Sequence, residues 1–150
     1  MKREFVFVVA GIALSCSLSW GQETTWRKDV KPLFDARCAA CHSDVSAPEH
    51  DAFKEKKQRW LANGQGMRMN SYSHLIYYTA WPGTGALMRR LDDGRNLKGG
   101  KAGNMYQFLG ATEAERQKNL AVFKAWVGTW VVKRWPDVTK DELNGIRVKY

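Results

Sequence analysis

Cys38-Ala39-Ala40-Cys41-His42 is the stretch of this sequence whose residue types and spacing carry chemistry. Two cysteines three positions apart fall on one side of a helical turn, so both sulfurs face the same way. A pair placed like this can form thioethers to the two vinyl groups of one porphyrin. The histidine that follows then lies beneath the iron and offers its imidazole as the proximal ligand. C-x-x-C-H is therefore read as a c-type haem attachment site. Other readings of the two cysteines lack support in the chain. A thioredoxin-type C-x-x-C needs a surrounding βαβ pattern, which is missing here. A zinc site needs two more ligands at suitable spacing, and no second cysteine pair exists.

Haem iron takes a sixth ligand or keeps that position open. The available donors are Met67, Met69, Met88, Met105, His50 and His74. Met105 follows the glycine-rich, non-helical run Gly99-Gly100-Lys101-Ala102-Gly103-Asn104, which leaves its backbone free to fold across a haem face. Seven residues later Thr112 opens a helix, with Glu115 completing a T-x-x-E capping box. A methionine delivered from a loop ahead of a capped helix suits a distal ligand, and Met105 is the leading candidate. Met67 and Met69, just before a helix starting at Ser71, are the alternatives. Met88 lies in the apolar and basic turn Leu87-Met88-Arg89-Arg90-Leu91 and reads as packing. His74, beside Leu75 and Ile76, reads as a structural histidine.

The elements that must position these groups are helical throughout, with no sustained period-2 pattern. A first helix beginning at Thr25 or Asp29 carries Val30, Leu33, Phe34 and Arg37 and runs directly into the haem motif. Pro32 is tolerable only in its first turn. Residues 43–48 read as loop, and 50–62 as a polar helix with Phe53, Trp60 and Leu61, ended by Asn63-Gly64. An apolar, aromatic helix over 71–79 ends at Pro82-Gly83, and another over 84–91 ends at Asp92-Asp93-Gly94. The longest helix is expected from Thr112 to about Lys133, with Leu120, Phe123, Val127, Trp130 and Val131 on one face. Gly128 is its weak point or a place of close approach, and Pro136 stops it. Thr139 and Glu142 make a further capping pair for a short turn in the tail.

The chain has 150 residues, enough for one core. Hydrophobic residues at 44% and charged residues at 26% exclude a disordered tail and a polytopic membrane protein. Residues 1–21 read as an export signal: Lys2 and Arg3, an apolar run from Phe5 to Leu14, then Ser19 and Gly21 placed for cleavage before Gln22. The run is short for a bilayer span. Ala13-Leu14-Ser15-Cys16 also loosely resembles a lipoprotein signal, in which Cys16 becomes a lipidated N-terminus; otherwise Cys16 leaves with the signal. Either way the mature domain works outside the cytoplasm. In an oxidising compartment Cys38 and Cys41 would pair with each other unless something else uses both sulfurs. The formal charge is +9, and loss of Lys2, Arg3 and Glu4 leaves +8. Basic residues are scattered among acids, which with export argues against a nucleic-acid partner.

The haem motif after an N-terminal helix, the Leu87–Leu91 turn, the Met105 loop and a closing helix with Ala125-Trp126-Val127 together resemble a class I monohaem c-type cytochrome. The resemblance covers roughly 26–130. It implies an all-α, cytochrome c-like helical fold around one haem c attached through Cys38 and Cys41. It further implies packing of the first helix against the last, iron held by His42 and Met105, and one-electron transfer. By their place in it Arg89 and Arg90 are expected propionate partners, the alternative being ordinary arginines of a solvated face. Two departures stand out. Tyr106 occupies a position where many members have proline, and the stretch between His42 and Met105 is long enough for an extra helix over the haem edge. The expected organisation is a signal peptide over 1–21, a monohaem cytochrome domain over 22–135 and a C-terminal tail over 136–150. The expected function is a periplasmic one-electron carrier, with no constellation for acid–base or nucleophilic catalysis. The alternatives are a haem-containing subunit of a larger redox complex, docked through the tail, and a haem enzyme or ligand sensor with a displaceable sixth ligand. Expected partners are acidic redox proteins, with membrane association through a lipidated Cys16 or a membrane redox complex.

Overall fold

A computed structural model of the protein describes residues 23–95, 97 and 99–150. The segment 1–21, read above as an export signal, and Cys16 lie outside these residues. Thr25 opens the first helical stretch, its Oγ1 accepting from the Lys28 amide at 3.3 Å while its own amide donates to Asp29 Oδ2 at 2.8 Å. Asp29 is thus the partner of the cap, and Thr25 is the cap. A wide π turn, Trp26–Val30, follows, and its last amide reaches back to the Thr25 carbonyl at 3.2 Å. It leads into α1, Lys31–Arg37. Pro32 has no N–H, and its ring would crowd the carbonyl four residues back in a regular helix; the wide turn immediately before it absorbs that conflict. After a break at Cys38, α2 covers Ala39–His42.

The helix predicted over 50–62 is two helices, α3 His50–Glu55 and α4 Lys57–Ala62, broken at Lys56. Lys54, Lys56, Lys57 and Arg59 crowd like charge here, and Phe53 is the buried residue of the pair. A short segment with so little apolar surface to bury has little tertiary packing to keep it continuous. α5, Tyr72–Thr79, is capped by Ser71, whose Oγ accepts from the His74 amide at 3.1 Å. α6 covers Ala86–Leu91 and α7 covers Glu113–Val127. Trp26, Val30 and Phe34 on the first stretch meet Phe123, Trp126 and Val127 of α7 in the core. The Trp26 ring lies 6.2 Å from both Tyr72 and Trp126 and 6.4 Å from Phe34. Full burial of one such side chain stabilises by about 2–3 kcal/mol, so this junction of first and last helices is a principal anchor of the fold.

α7 stops at Val127 rather than near Lys133, because Gly128 takes φ 81°. A Cβ there would lie 2.6 Å from the Gly145 carbonyl oxygen. Gly128 is therefore the point of close approach, bridging to Ile146, and Val131 is buried from non-helical chain. α8, Lys140–Asn144, has the complete Thr139/Glu142 capping box. The chain then returns across the core. The Lys149 carbonyl accepts from the Trp26 amide at 2.8 Å and from Trp126 Nε1 at 2.7 Å, and the Val148 carbonyl accepts from the Tyr72 hydroxyl at 2.7 Å. Among the described residues there is no β-strand, and the fold is all-α. None of the described helices is long and apolar enough to cross a membrane.

Candidate haem site

The α2 turn brings Cys38, Cys41 and His42 together, with the Cys41 and His42 amides donating to the Cys38 carbonyl at 3.1 and 3.0 Å. Cys38 is half-buried and Cys41 exposed, and no disulfide joins them. Burial, then the neighbouring Cys41 and Asp35, pushes the Cys38 thiol up to about 12. A dithiol that cycles works the other way, lowering the pKa of its attacking cysteine. Among the described residues no group of three His, Cys, Asp or Glu side chains is arranged to hold a metal ion. The pair suits consumption of both sulfurs rather than redox turnover.

His42 is held from behind. Its Nδ1 lies 2.7 Å from the Met67 carbonyl oxygen. With Nδ1–H donating, Nε2 is the ring nitrogen left to bind a metal. Gly66 lies against the same ring: a Cβ there would fall 2.4 Å from His42 Cε1, so only glycine lets the backbone pass. The Met69 amide donates to the His42 carbonyl and the Arg68 amide to the Pro48 carbonyl, both at 2.8 Å. The Tyr78 hydroxyl, 3.2 Å away, donates to Met67 Sδ. Glu49 steadies the segment from outside, taking Arg68 at 2.6 Å and His74 Nε2 at 3.1 Å. Such a cradle keeps the imidazole in one orientation, as a haem-ligating histidine would require. Met67 commits its carbonyl to His42 and its sulfur to Tyr78, and Met69 lies beside it. Met88 is fully buried and is packing, as its surroundings in the sequence indicate. His74 has one nitrogen on Glu49 and Nδ1 buried without a partner, so it is structural but only half satisfied.

Met105 begins the 3₁₀ turn Tyr106–Leu109, half-buried and packed against the core. Its loop is strapped to the end of α6. The Met105 amide donates to the Arg90 carbonyl at 3.0 Å and the Gly103 amide to the Asp92 carbonyl at 2.8 Å, which satisfies acceptors a helix end leaves open. A Cβ on Gly103 would lie 2.3 Å from the Arg90 carbonyl oxygen. Arg90 donates to Asn104 Oδ1 at 2.9 Å, while Arg89 donates to the Lys133 and Thr84 carbonyls. Asp92 is fully buried, accepting from Trp130 Nε1 and from the Gly94 amide, each at 2.8 Å.

Tyr106 explains its own departure from the proline of the resemblance. The ring is buried, and its hydroxyl donates to Glu113 Oε1 at 2.7 Å and accepts from Gln117 Nε2 at 2.7 Å. Hydrogen bonds from Tyr106 and then Gln117 hold the Glu113 carboxyl at about 2. The residue after Met105 is thus fixed by a side-chain tether to α7 instead of by a rigid ring. Sequence reasoning did not anticipate Gly66, Tyr78 or the Met67 carbonyl. The one available signal was the Asn63-Gly64-Gln65-Gly66 run, which reads as a helix end and says nothing about what lies against it.

A family profile described as PccH cytochrome c matches residues 25–150. Among solved structures, the monoheme cytochrome PccH from Geobacter sulfurreducens is 69% identical, with a TM-score of 0.79, covering 85% of this chain and 99% of that one. No protein with a curated description matches. A match that runs from the Thr25 cap to the last residue, over helices that carry a C-x-x-C-H turn, places the chain in the PccH cytochrome c family: it is an electron-transfer protein with one covalently attached haem c, not an enzyme.

Proposed function

We propose that the protein is a periplasmic one-electron carrier, its haem attached through Cys38 and Cys41 and its iron held by His42 and Met105. The observation that carries this reading is the 2.7 Å contact from His42 Nδ1 to the Met67 carbonyl, which leaves Nε2 as the ligating nitrogen. Bound haem supplies a one-electron iron couple. The chain's own part is to hold the imidazole, deliver the thioether and limit solvent. The export signal read over 1–21 supports the periplasm. Visible and magnetic-resonance spectra of the purified protein in both redox states test the ligand pair. Rapid carbon monoxide binding to the reduced protein would instead show a displaceable sixth ligand.

Tyr78 is a positioning residue in this scheme. Tyr78→Phe removes the hydroxyl that holds Met67 and loosens the carbonyl behind His42. The imidazole then donates less electron density, and ferric iron is less stabilised. The midpoint potential is expected to rise by about threefold in the redox equilibrium, ~30 mV for one electron, with the fold intact. Potentiometric titration of the variant measures it, and an unchanged potential would show that the hydroxyl only packs.

The partner is proposed to be an acidic redox protein. Lys54 on α3, Lys56 at the break, and Lys57 and Arg59 on α4 are exposed, and the chain is strongly basic. Attraction between exposed charges is screened within about 8 Å at physiological salt. Electron transfer to such a partner is expected to slow roughly tenfold between low and high ionic strength through the association rate. Lys56→Glu with Lys57→Glu, by lowering the overall positive charge, should make that dependence shallower without abolishing it, and a rate indifferent to salt would leave the charge for solubility alone.

A further inference from the structure

Trp81 and Trp135 are exposed, at 62% and 40%, and pack on each other with ring centroids 4.6 Å apart at 70°. The chain's other described tryptophans are used differently. Trp26 and Trp126 are core residues, and Trp60 and Trp130 place their indole N–H groups on Ala52 O and Asp92. Each exposed tryptophan precedes an exposed proline, Pro82 or Pro136, so the surface is apolar and stiff. It does not sit on loose chain. Gly85 lets the Lys133 and Val131 carbonyls pass close to the start of α6, and Arg89 donates to the Lys133 and Thr84 carbonyls. A preformed patch of this kind loses little entropy on binding.

The rim is cationic. Arg134 and Arg90 lie near enough to Arg89 to lower its pKa beyond what burial does. None of the three is ion-paired with a carboxylate among the described residues. Exposed apolar patches with polar rims mark interaction sites, and tryptophan and arginine dominate the energetics of protein interfaces. We propose that the Trp81–Trp135 face, rimmed by Arg89 and Arg134, is where an acidic redox protein docks. This rests on the acidic-partner reading above and adds the location. Charge complementarity favours an anionic partner over a second copy of this basic chain. Lys133, by contrast with the three arginines, is paired with Glu142 at 2.8 Å.

The test uses ¹⁵N-labelled holoprotein titrated with a synthetic glutamate-rich peptide carrying one Phe-Pro, and in parallel with phosphatidylglycerol vesicles. The expected result is a saturable shift of the Trp81 and Trp135 indole N–H signals with the peptide, with Trp60 unmoved. Trp81→Ala and Arg134→Glu should each weaken binding about tenfold with an unchanged visible spectrum, which shows that the variants fold and carry haem. Shifts confined to Lys54–Arg59 would overturn this face while leaving an acidic partner standing. Indole shifts with the vesicles but not the peptide would make the face a membrane surface and overturn the proposal. No response to either probe anywhere would overturn the face and the acidic-partner reading together.

Discussion

Cys38→Ser or Cys41→Ser is expected to leave little haem on the chain, and His42→Ala to leave haem attached but abnormally ligated. One turn of helix sets the geometry. The amides of Cys41 and His42 both close onto the Cys38 carbonyl, so the two sulfurs and the imidazole share one rigid frame. A serine hydroxyl keeps the turn but forms no thioether, and the single remaining sulfur would hold a haem at one point instead of two. The Cys38 thiol is half-buried with its pKa pushed up to about 12. Nothing in its surroundings favours an alternative life as a redox thiolate. The measurement is the haem that stays with the polypeptide after extraction into acidified organic solvent. Haem that leaves the unsubstituted protein under those conditions would refute covalent attachment through these sulfurs.

Met105→His should lower the reduction potential, by an amount on the order of 0.1–0.2 V, because axial ligands set haem potentials over a range of about 0.8 V. A thioether favours ferrous iron, and imidazole stabilises the ferric state by comparison. The sulfur-to-iron band at the red end of the ferric spectrum should vanish in Met105→His and in Met105→Ala. It should persist in Met67→Ala, since the Met67 sulfur takes its hydrogen bond from Tyr78 and its carbonyl backs His42. The Met105 loop tolerates the exchange because its position comes from backbone bonds to Arg90 and Asp92 and from the Tyr106 tether, none of which uses the Met105 side chain. A band that survives Met105→Ala and disappears when Met67 or Met69 is replaced would make that methionine the sixth ligand.

Short-range rules made much of the molecule legible. Thr25, Ser71, Thr112 and Thr139 all act as N-caps, because a cap is decided by a side chain and an amide two or three residues away. The C-x-x-C-H turn is of the same kind, since one helical turn suffices to align its groups. The apolar face of α7 through Leu120, Phe123 and Val127 followed from periodicity alone. What the chain order could not decide was which distant backbone lies against which residue. Glycine at 66 and glycine at 128 are alike in sequence; one lets the Met67 segment lie on the His42 ring, and the other admits the Gly145 carbonyl and ends α7. Tyr78 and Met67 meet only because α5 packs over the segment that precedes it. The break at Lys56 and the return of Lys149 onto Trp26 and Trp126 likewise depend on where buried surface is to be found. Local sequence determined the chemistry that can be attached at 38–42, and tertiary packing alone decided how its histidine is held, because a hydrogen bond between residues 42 and 67 has no counterpart in the spacing of neighbours.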